Sequence, residues 1–208
     1  NPTPPASGHL QVLQWNASRS LHYPSWLAWC DRSPYDIIIA QETGWGMTGE
    51  WSTPQWHVLH GADRYASVLV MVRAALISRE AISVAHHIPG RIMQVRLHLY
   101  RPHDIYAIYQ HAWNSGGNVS QLLNKRKRVW TCLRDCISHT PARNLLLLGG
   151  DYNTPLDFDG QHIFTKDPKY AKAAQIDRDL FRTLVQDNRL AAIHTRVFHP
   201  TFVHGDHN

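Results

Sequence analysis

The chain has 208 residues, of which 43% are hydrophobic and 18% are charged, so it can bury a sizeable core and is not intrinsically disordered. Lysine and arginine outnumber aspartate and glutamate by 21 to 16, and the formal charge of +5 fits a polyanionic partner without identifying one. No apolar run reaches the roughly 18 residues that a membrane-spanning helix needs, so we expect no membrane partner.

Short apolar runs and amphipathic stretches predict the elements of one domain over residues 9–208, after a proline-rich, polar tail at 1–8 that we expect to be disordered. The predicted strands are His9–Trp15, Ile37–Gln41, Trp56–His60, Ser67–Val72, Ala81–His86, Ile92–Leu99, Ile105–Tyr109 and Leu145–Gly149. The predicted helices are Ser25–Cys30, Ser120–Ser138 and Asp177–Asp187. This order predicts an α+β protein with sheets packed inside and helices outside.

The cysteines are too few for a disulfide framework. Three are present, and Cys132 and Cys136 are spaced for one face of a helix, with no second Cys or His pair at zinc-finger spacing. The 15 histidines form no His-Glu-x-x-His pattern. Few cysteines fit a reducing compartment, so we expect an intracellular protein.

Four of the predicted strands run into a polar side chain at their end. Asn16 follows LQVLQW, Glu42 follows DIIIAQ, Tyr109 ends DIYAIY, and Asp151 and Asn153 follow NLLLLGG. Any one of these fits a turn or a cap. Four such ends form a pattern, because in a sheet whose strands point the same way these side chains would converge on one rim.

The residue types at these ends suit metal-assisted phosphoester hydrolysis. Glu42 and Asp151 offer hard oxygen ligands for Mg²⁺ or Mn²⁺. Asn16 and Asn153 can position a phosphate oxygen or a water, and the Tyr109 phenol can donate to a non-bridging oxygen as charge develops. Acyl transfer is not indicated, because the sequence has no G-x-S-x-G motif.

The segments LQWNAS, IIIAQETGW, YAIYQHAW and LLLLGGDYNTP resemble the ordered motifs of the endonuclease/exonuclease/phosphatase superfamily, which includes apurinic/apyrimidinic endonucleases and DNase I. Within it, Gln-Glu-Thr after IIIA, the segment EWSTPQWHVLH and IPGR before a strand resemble endonuclease domains of non-LTR (LINE-type) retrotransposons. The resemblance implies a four-layer αββα sandwich of the DNase I-like type. It also implies a Mg²⁺-dependent (or Mn²⁺-dependent) DNA-nicking domain, monomeric, fused to a reverse transcriptase and acting in the nucleus.

The resemblance also implies roles for single residues. Glu42 matches the metal-binding glutamate, and Asn16 matches the first-strand asparagine near the metal, as a ligand and catalytic residue. Tyr109 matches the tyrosine that contacts the scissile phosphate. Asp151 matches the aspartate that orients or deprotonates the attacking water, and Asn153 matches the phosphate-binding asparagine two residues later.

The sequence departs from the family pattern at two places. The family's asparagine three residues after the tyrosine is replaced by Ala112, with Asn114 as a nearby substitute in substrate binding. After the Thr-Phe pair at 201–202 the family adds further strands and a Ser-Asp-His motif, whereas this sequence ends in TFVHGDHN. We expect a domain truncated before its final strands and catalytic histidine; the alternative is an internal deletion that brings Asp206 and His207 into the site.

Further side chains are candidates for contacts with nucleic acid. Trp45 and Trp113 follow two of the motifs and are either base-stacking platforms or core residues. Lys125 and Arg126, in the run KRKR, are either phosphate contacts or part of a solvated helix face. Two rival functions stay open: a phosphatase of the same fold acting on inositol phosphates or phospholipids, and a catalytically dead nucleic-acid-binding remnant.

Overall fold

The computed structural model describes residues 10–19, 22–113, 118–154 and 168–191. Its strands are β1 (Val12–Asn16), β2 (Ile37–Gln41), β3 (Gly49–Ser52), β4 (Trp56–Ala62), β5 (Ser67–Arg73), β6 (Ile82–Ile88), β7 (Ile92–Leu97), β8 (His103–Tyr109) and β9 (Leu145–Asp151). Its helices are α1 (Tyr23–Arg32), α2 (Val119–Ser138) and α3 (Pro168–Asp187), and a 3-10 turn covers Arg79–Ala81. The predicted tail, Asn114, the pair at 201–202, Asp206 and His207 lie outside the described residues.

Each predicted strand and helix overlaps an element of the structure, with differences at the ends. β3 was not predicted; it is a four-residue segment that contains a glycine, and among the described strands it pairs only with β4. The start of α3 was predicted at Asp177, nine residues after the helix begins at Pro168. The first half of α3 contributes only small or isolated apolar side chains, such as Tyr170 and Ala173, and therefore lacks a continuous apolar stripe.

The strands form two sheets, and each sheet ends in one parallel pair. One sheet has the order β1-β2-β5-β4-β3, and the other has the order β6-β7-β8-β9. β1 runs parallel to β2, and β8 runs parallel to β9, whereas the remaining neighbours are antiparallel. The carboxyl ends of each parallel pair therefore lie together at one edge of their own sheet.

Apolar contacts arrange these elements in four layers. The inner faces of the two sheets share one core, in which Ile39 and Val70 of the first sheet meet Val95 and Ala107 of the second. The outer face of the first sheet packs on α1, and that of the second packs on α2 and α3. β2 and β5 are buried on both faces, which is why they read as unbroken apolar runs. This αββα order confirms the predicted fold class.

No helix among the described residues is long and apolar enough to cross a membrane.

β9 approaches β8 so closely at Gly150 that no side chain fits there, and this close approach can be tested. A Cβ added to Gly150 would lie 2.1 Å from the carbonyl oxygen of Ile108, its parallel partner in β8. That oxygen belongs to the strand backbone and cannot move alone, so we expect Gly150→Ala to lower the free energy of unfolding by roughly 1–3 kcal/mol. Urea denaturation followed by tryptophan fluorescence measures this change.

Gly46→Ala is the matched control, because a Cβ there meets nothing within 4 Å. Equal urea midpoints of unfolding for Gly150→Ala and Gly46→Ala would contradict the close approach of β9 to β8.

Candidate active site

The polar strand ends meet, and they come from both sheets: β1 and β2 belong to the first, and β8 and β9 belong to the second. Asn16 Nδ2 at the end of β1 donates to Glu42 Oε1 after β2 at 2.9 Å and to Asp151 Oδ2 at the end of β9 at 2.7 Å. Tyr109 at the end of β8 donates its hydroxyl proton to Glu42 Oε1 at 2.6 Å. The backbone N–H of Asn153 donates to Asp151 Oδ1 at 2.9 Å. We call these five residues the rim cluster.

Two members of the rim cluster have left-handed backbones. Glu42 has φ of +52° and directly follows β2, and Asn153 has φ of +46° and is the second residue after β9. Such a conformation is uncommon for a residue with a side chain, above all for glutamate, and costs on the order of 1–3 kcal/mol. The surrounding structure holds Glu42 in place, since its N–H donates to Ser67 O at 3.1 Å and its carbonyl accepts from the Arg19 N–H at 2.6 Å.

The threonine after Glu42 fastens this segment to the sheet. Thr43 is fully buried, and its Oγ1 lies 2.9 Å from His60 Nε2 and 2.9 Å from Ser67 Oγ. Burial lowers the pKa of His60, so its imidazole stays neutral and can take part in this network. The Gln-Glu-Thr motif thus combines a half-buried carboxylate at Glu42 with a buried anchor at Thr43.

The orientation of the Asn16 amide corrects one sequence assignment. Its Oδ1 accepts the backbone N–H of Ser18 at 2.9 Å, which leaves Nδ2 facing the carboxylates of Glu42 and Asp151. An N–H donor does not ligate a cation. In this arrangement Asn16 is not a metal ligand; it holds two carboxylates from different sheets next to each other.

The donor set of the rim cluster fits Mg²⁺ or Mn²⁺. Among the described residues no group of three or more His, Cys, Asp and Glu side chains could hold a metal ion. Mg²⁺ commonly takes only one or two carboxylates and retains several waters, which matches the pair Glu42 and Asp151. Glu42 Oε2 accepts no hydrogen bond from a described residue, whereas its Oε1 accepts two.

An arginine that the sequence analysis assigned no role lies beside the tyrosine. The Arg91 guanidinium lies 4.6 Å from the centre of the Tyr109 ring, and its Nη1 donates to Tyr109 O at 3.3 Å. Arg91 is buried, and the pKa of Tyr109 is raised by burial and by its hydrogen bond to Glu42. Tyr109 is therefore a neutral donor at physiological pH. The available signal was the segment IPGR, which the analysis used only as part of the resemblance.

Two predicted substrate contacts point into the protein. Arg126 is 0% exposed and forms an ion pair with Asp177 of α3 at 2.6 Å, so it is not available to a phosphate at the surface. Trp113 is 6% exposed, and its ring stacks against the Arg126 guanidinium at 4.7 Å. It is therefore a core residue, not a stacking platform.

The other two described candidates keep accessible surface. Trp45 is half-buried and packs against the rings of Tyr23, Trp51 and His60 at 5.1, 6.2 and 5.3 Å. Lys125 is exposed near the start of α2. Their contacts with nucleic acid stay predictions, and Asn114 lies outside the described residues.

Comparisons with known proteins find likenesses among solved structures, where 67 chains match. No family model matches the chain, and no curated protein matches it. Among solved structures, it is similar to a crystal structure of humanized D. rerio TDP2 with 14 mutations, at a TM-score of 0.45 and 12% sequence identity. The match covers 70% of this chain and 63% of the other, so the chain spans less than two thirds of that structure.

The imidazole next to the rim cluster gives a pH-dependent test. Burial, then the charges of Arg91, Lys125 and Arg126, lower the pKa of His111 to about 4. The unfolded chain, with an ordinary value of about 6.5, binds more protons between these two values. The stability that a neutral His111 contributes is complete above about pH 6.5 and is lost as the pH falls towards 4. We expect His111→Asn to flatten the dependence of the unfolding free energy on pH between 7 and 4.5.

Urea denaturation across that range measures the slope. His98→Asn is the control, because His98 is exposed. We expect this variant to show the same dependence of the unfolding free energy on pH as the wild type. If His111→Asn leaves the dependence of the unfolding free energy on pH unchanged, the imidazole of His111 is not held neutral in the folded protein.

Proposed function

We propose that this chain is a divalent-metal-dependent phosphodiesterase that nicks DNA. It belongs by this proposal to the endonuclease/exonuclease/phosphatase superfamily, as the type of domain that non-LTR retrotransposons fuse to a reverse transcriptase. The observation that carries the proposal is the rim cluster, in which Glu42 and Asp151 from separate sheets share the amide of Asn16. The resemblance of the four motifs to that superfamily supports the same assignment.

In this proposal Glu42 and Asp151 hold the metal ion. A bound Mg²⁺ or Mn²⁺ stabilises negative charge on the phosphate and makes a nearby water more acidic. Asp151 orients the attacking water and accepts its proton, and the Asn153 N–H fixes the Asp151 carboxylate at 2.9 Å. Because the N–H of Asn153 reaches Asp151, the turn after β9 keeps that carboxylate from rotating away from the rim.

Two donors are assigned to the phosphate. Tyr109 donates to a non-bridging oxygen in place of its contact with Glu42, and its raised pKa keeps the proton on the phenol. Asn153 Nδ2 uses one hydrogen to reach Gln110 O at 3.0 Å, and its second hydrogen is assigned to the phosphate. Both donors sit at the ends of adjacent parallel strands, β8 and β9.

DNA is the proposed substrate because the charge of the chain favours a polyanion. The formal charge is +5, and Lys125, Lys127 and Arg128 are exposed on α2. Lys125 is one of the charges that lower the pKa of His111, the second residue after Tyr109. Contacts of this kind give affinity that is independent of sequence and weakens with salt.

Plasmid nicking tests the proposal. With MgCl₂ we expect conversion of supercoiled to open-circular DNA, and we expect Glu42→Gln and Asp151→Asn each to lower the rate on the order of 100-fold, because each removes a carboxylate from the metal site. Asp135→Asn is the matched control, since Asp135 is exposed on α2, away from the strand ends.

Two results would contradict this function. Hydrolysis of inositol phosphates or phospholipids without nicking of DNA would indicate a phosphatase. Retention of DNA that weakens with salt, without cleavage at any metal concentration, would indicate a nucleic-acid-binding protein with no catalysis.

A further inference from the structure

The interior of the second half of the chain contains a fully buried ion pair. Arg126 on α2 and Asp177 on α3 are each 0% exposed, and Nη2 of Arg126 lies 2.6 Å from Oδ2 of Asp177. The other oxygen, Asp177 Oδ1, accepts the indole N–H of Trp130 at 2.6 Å. The carboxylate therefore has a fixed position between the two helices.

The guanidinium of Arg126 also contacts both segments that follow the strands of the rim cluster. Its Nη1 donates to the carbonyl of His111, two residues after Tyr109. Its Nη2 lies 3.1 Å from Tyr152 O, 3.2 Å from Asn153 O and 2.5 Å from Thr154 Oγ1. One planar group thus joins the segment after β8 to the segment after β9.

Stability alone does not explain this arrangement. Removing two charges from water costs several kcal/mol per ion, and apolar side chains of similar size often replace a buried ion pair without loss of stability. Apolar side chains would not bond the carbonyls of His111, Tyr152 and Asn153. The forked donors of an arginine supply several hydrogen bonds in one plane, which the single ammonium of a lysine does not reproduce.

We infer that Arg126 is a positioning residue, which fixes the segments after β8 and β9 and thereby sets the orientation of Asp151 and Asn153. Nη2 of Arg126 shares its two hydrogens among Asp177, Thr154 and the carbonyls of the segment after β9. Asn153 connects this group to the carboxylate, because its carbonyl lies 3.2 Å from Nη2 and its N–H donates to Asp151. Asn153 Nδ2 also donates to Gln110 O, so a shift in one segment is passed to the other. The effect on catalysis rests on the function proposed above; the effect on the two segments does not.

The variant Arg126→Lys tests this role, with Arg96→Lys as its matched control. Arg126→Lys keeps a cation beside Asp177 and removes the forked contacts. Arg96→Lys makes the same change in the Arg96–Asp104 ion pair, whose Nε–Oδ1 distance is 2.8 Å. Asp104 is the second residue of β8, at the end of the strand opposite Tyr109. Hydrogen exchange of single amides and steady-state nicking kinetics with MgCl₂ are measured on both variants.

We expect Arg126→Lys to speed exchange of the Gln110 and Asn153 amides about tenfold. The Gln110 N–H donates to Asp151 O across the two segments, and the Asn153 N–H donates to Asp151 Oδ1 within the segment after β9. The amides of β5 should keep wild-type rates. On plasmid DNA we expect kcat to fall 10- to 100-fold, roughly the effect of a small misplacement of reacting groups, with KM unchanged. Arg96→Lys should alter neither the two amides nor kcat.

The inference is overturned if Gln110 and Asn153 exchange at the same rates in Arg126→Lys as in Arg96→Lys. It is also overturned if exchange in Arg126→Lys becomes faster by the same factor throughout the chain. If the wild type does not nick DNA, the proposed function fails, and the exchange rates still decide whether Arg126 fixes the two segments. If Arg126→Lys does not fold, Asp177→Asn replaces it. That variant removes the charge that anchors Arg126, and the same two amides should exchange faster.

Discussion

The amide of Asn16 is the contact on which the site depends. Two carboxylates brought close together repel each other, and hydrogen-bond donors between them offset that repulsion. Asn16 Nδ2 reaches both Glu42 and Asp151, and Tyr109 adds a second donor to Glu42. Since the two carboxylates belong to separate sheets, the bridge also fixes how those sheets meet at this edge.

The packing of the sheets makes that bridge possible. A Cβ added to Gly149 in β9 would lie 2.4 Å from Cδ1 of Ile39 in β2, so the absence of a side chain lets β9 approach the first sheet closely. Asp151 follows two residues later on the same strand and therefore points to the same side. On the outside, α2 and α3 carry the ion pair that bonds the segments beyond β8 and β9. The core, the sheet edge and the helices therefore all help to position the side chains of the rim cluster.

Much of this arrangement could be predicted from local patterns. A polar residue at the end of an apolar strand is visible in sequence, and all five residues chosen on that ground lie in the rim cluster. Which of these strands share a sheet could not be predicted from the runs themselves, because pairing between distant strands is set by packing that a local run does not contain. The role of the Asn16 amide was also out of reach, since its orientation depends on the N–H of Ser18.

The errors over Arg126 and Trp113 have different causes. Arg126 falls on the helical stripe of Leu122, Val129 and Leu133, so its spacing fits a position that faces the core. The run KRKR, in contrast, suggested an exposed helix face. Its partner Asp177 lies 51 residues away, and no local pattern connects the two. Trp113 is buried among Leu122, Tyr170 and Ala173 and also stacks on that arginine, and these are contacts between distant parts of the chain.

We propose that Glu42 and Asp151, from two different sheets, form one cation site. Titration with Mn²⁺ followed by electron paramagnetic resonance tests it most directly, because bound and free Mn²⁺ are counted without any substrate. We expect one bound Mn²⁺ per chain in the wild type. In either Glu42→Gln or Asp151→Asn we expect an Mn²⁺ affinity at least about tenfold weaker, because each variant loses a carboxylate ligand. Unchanged Mn²⁺ affinity in both variants would contradict it.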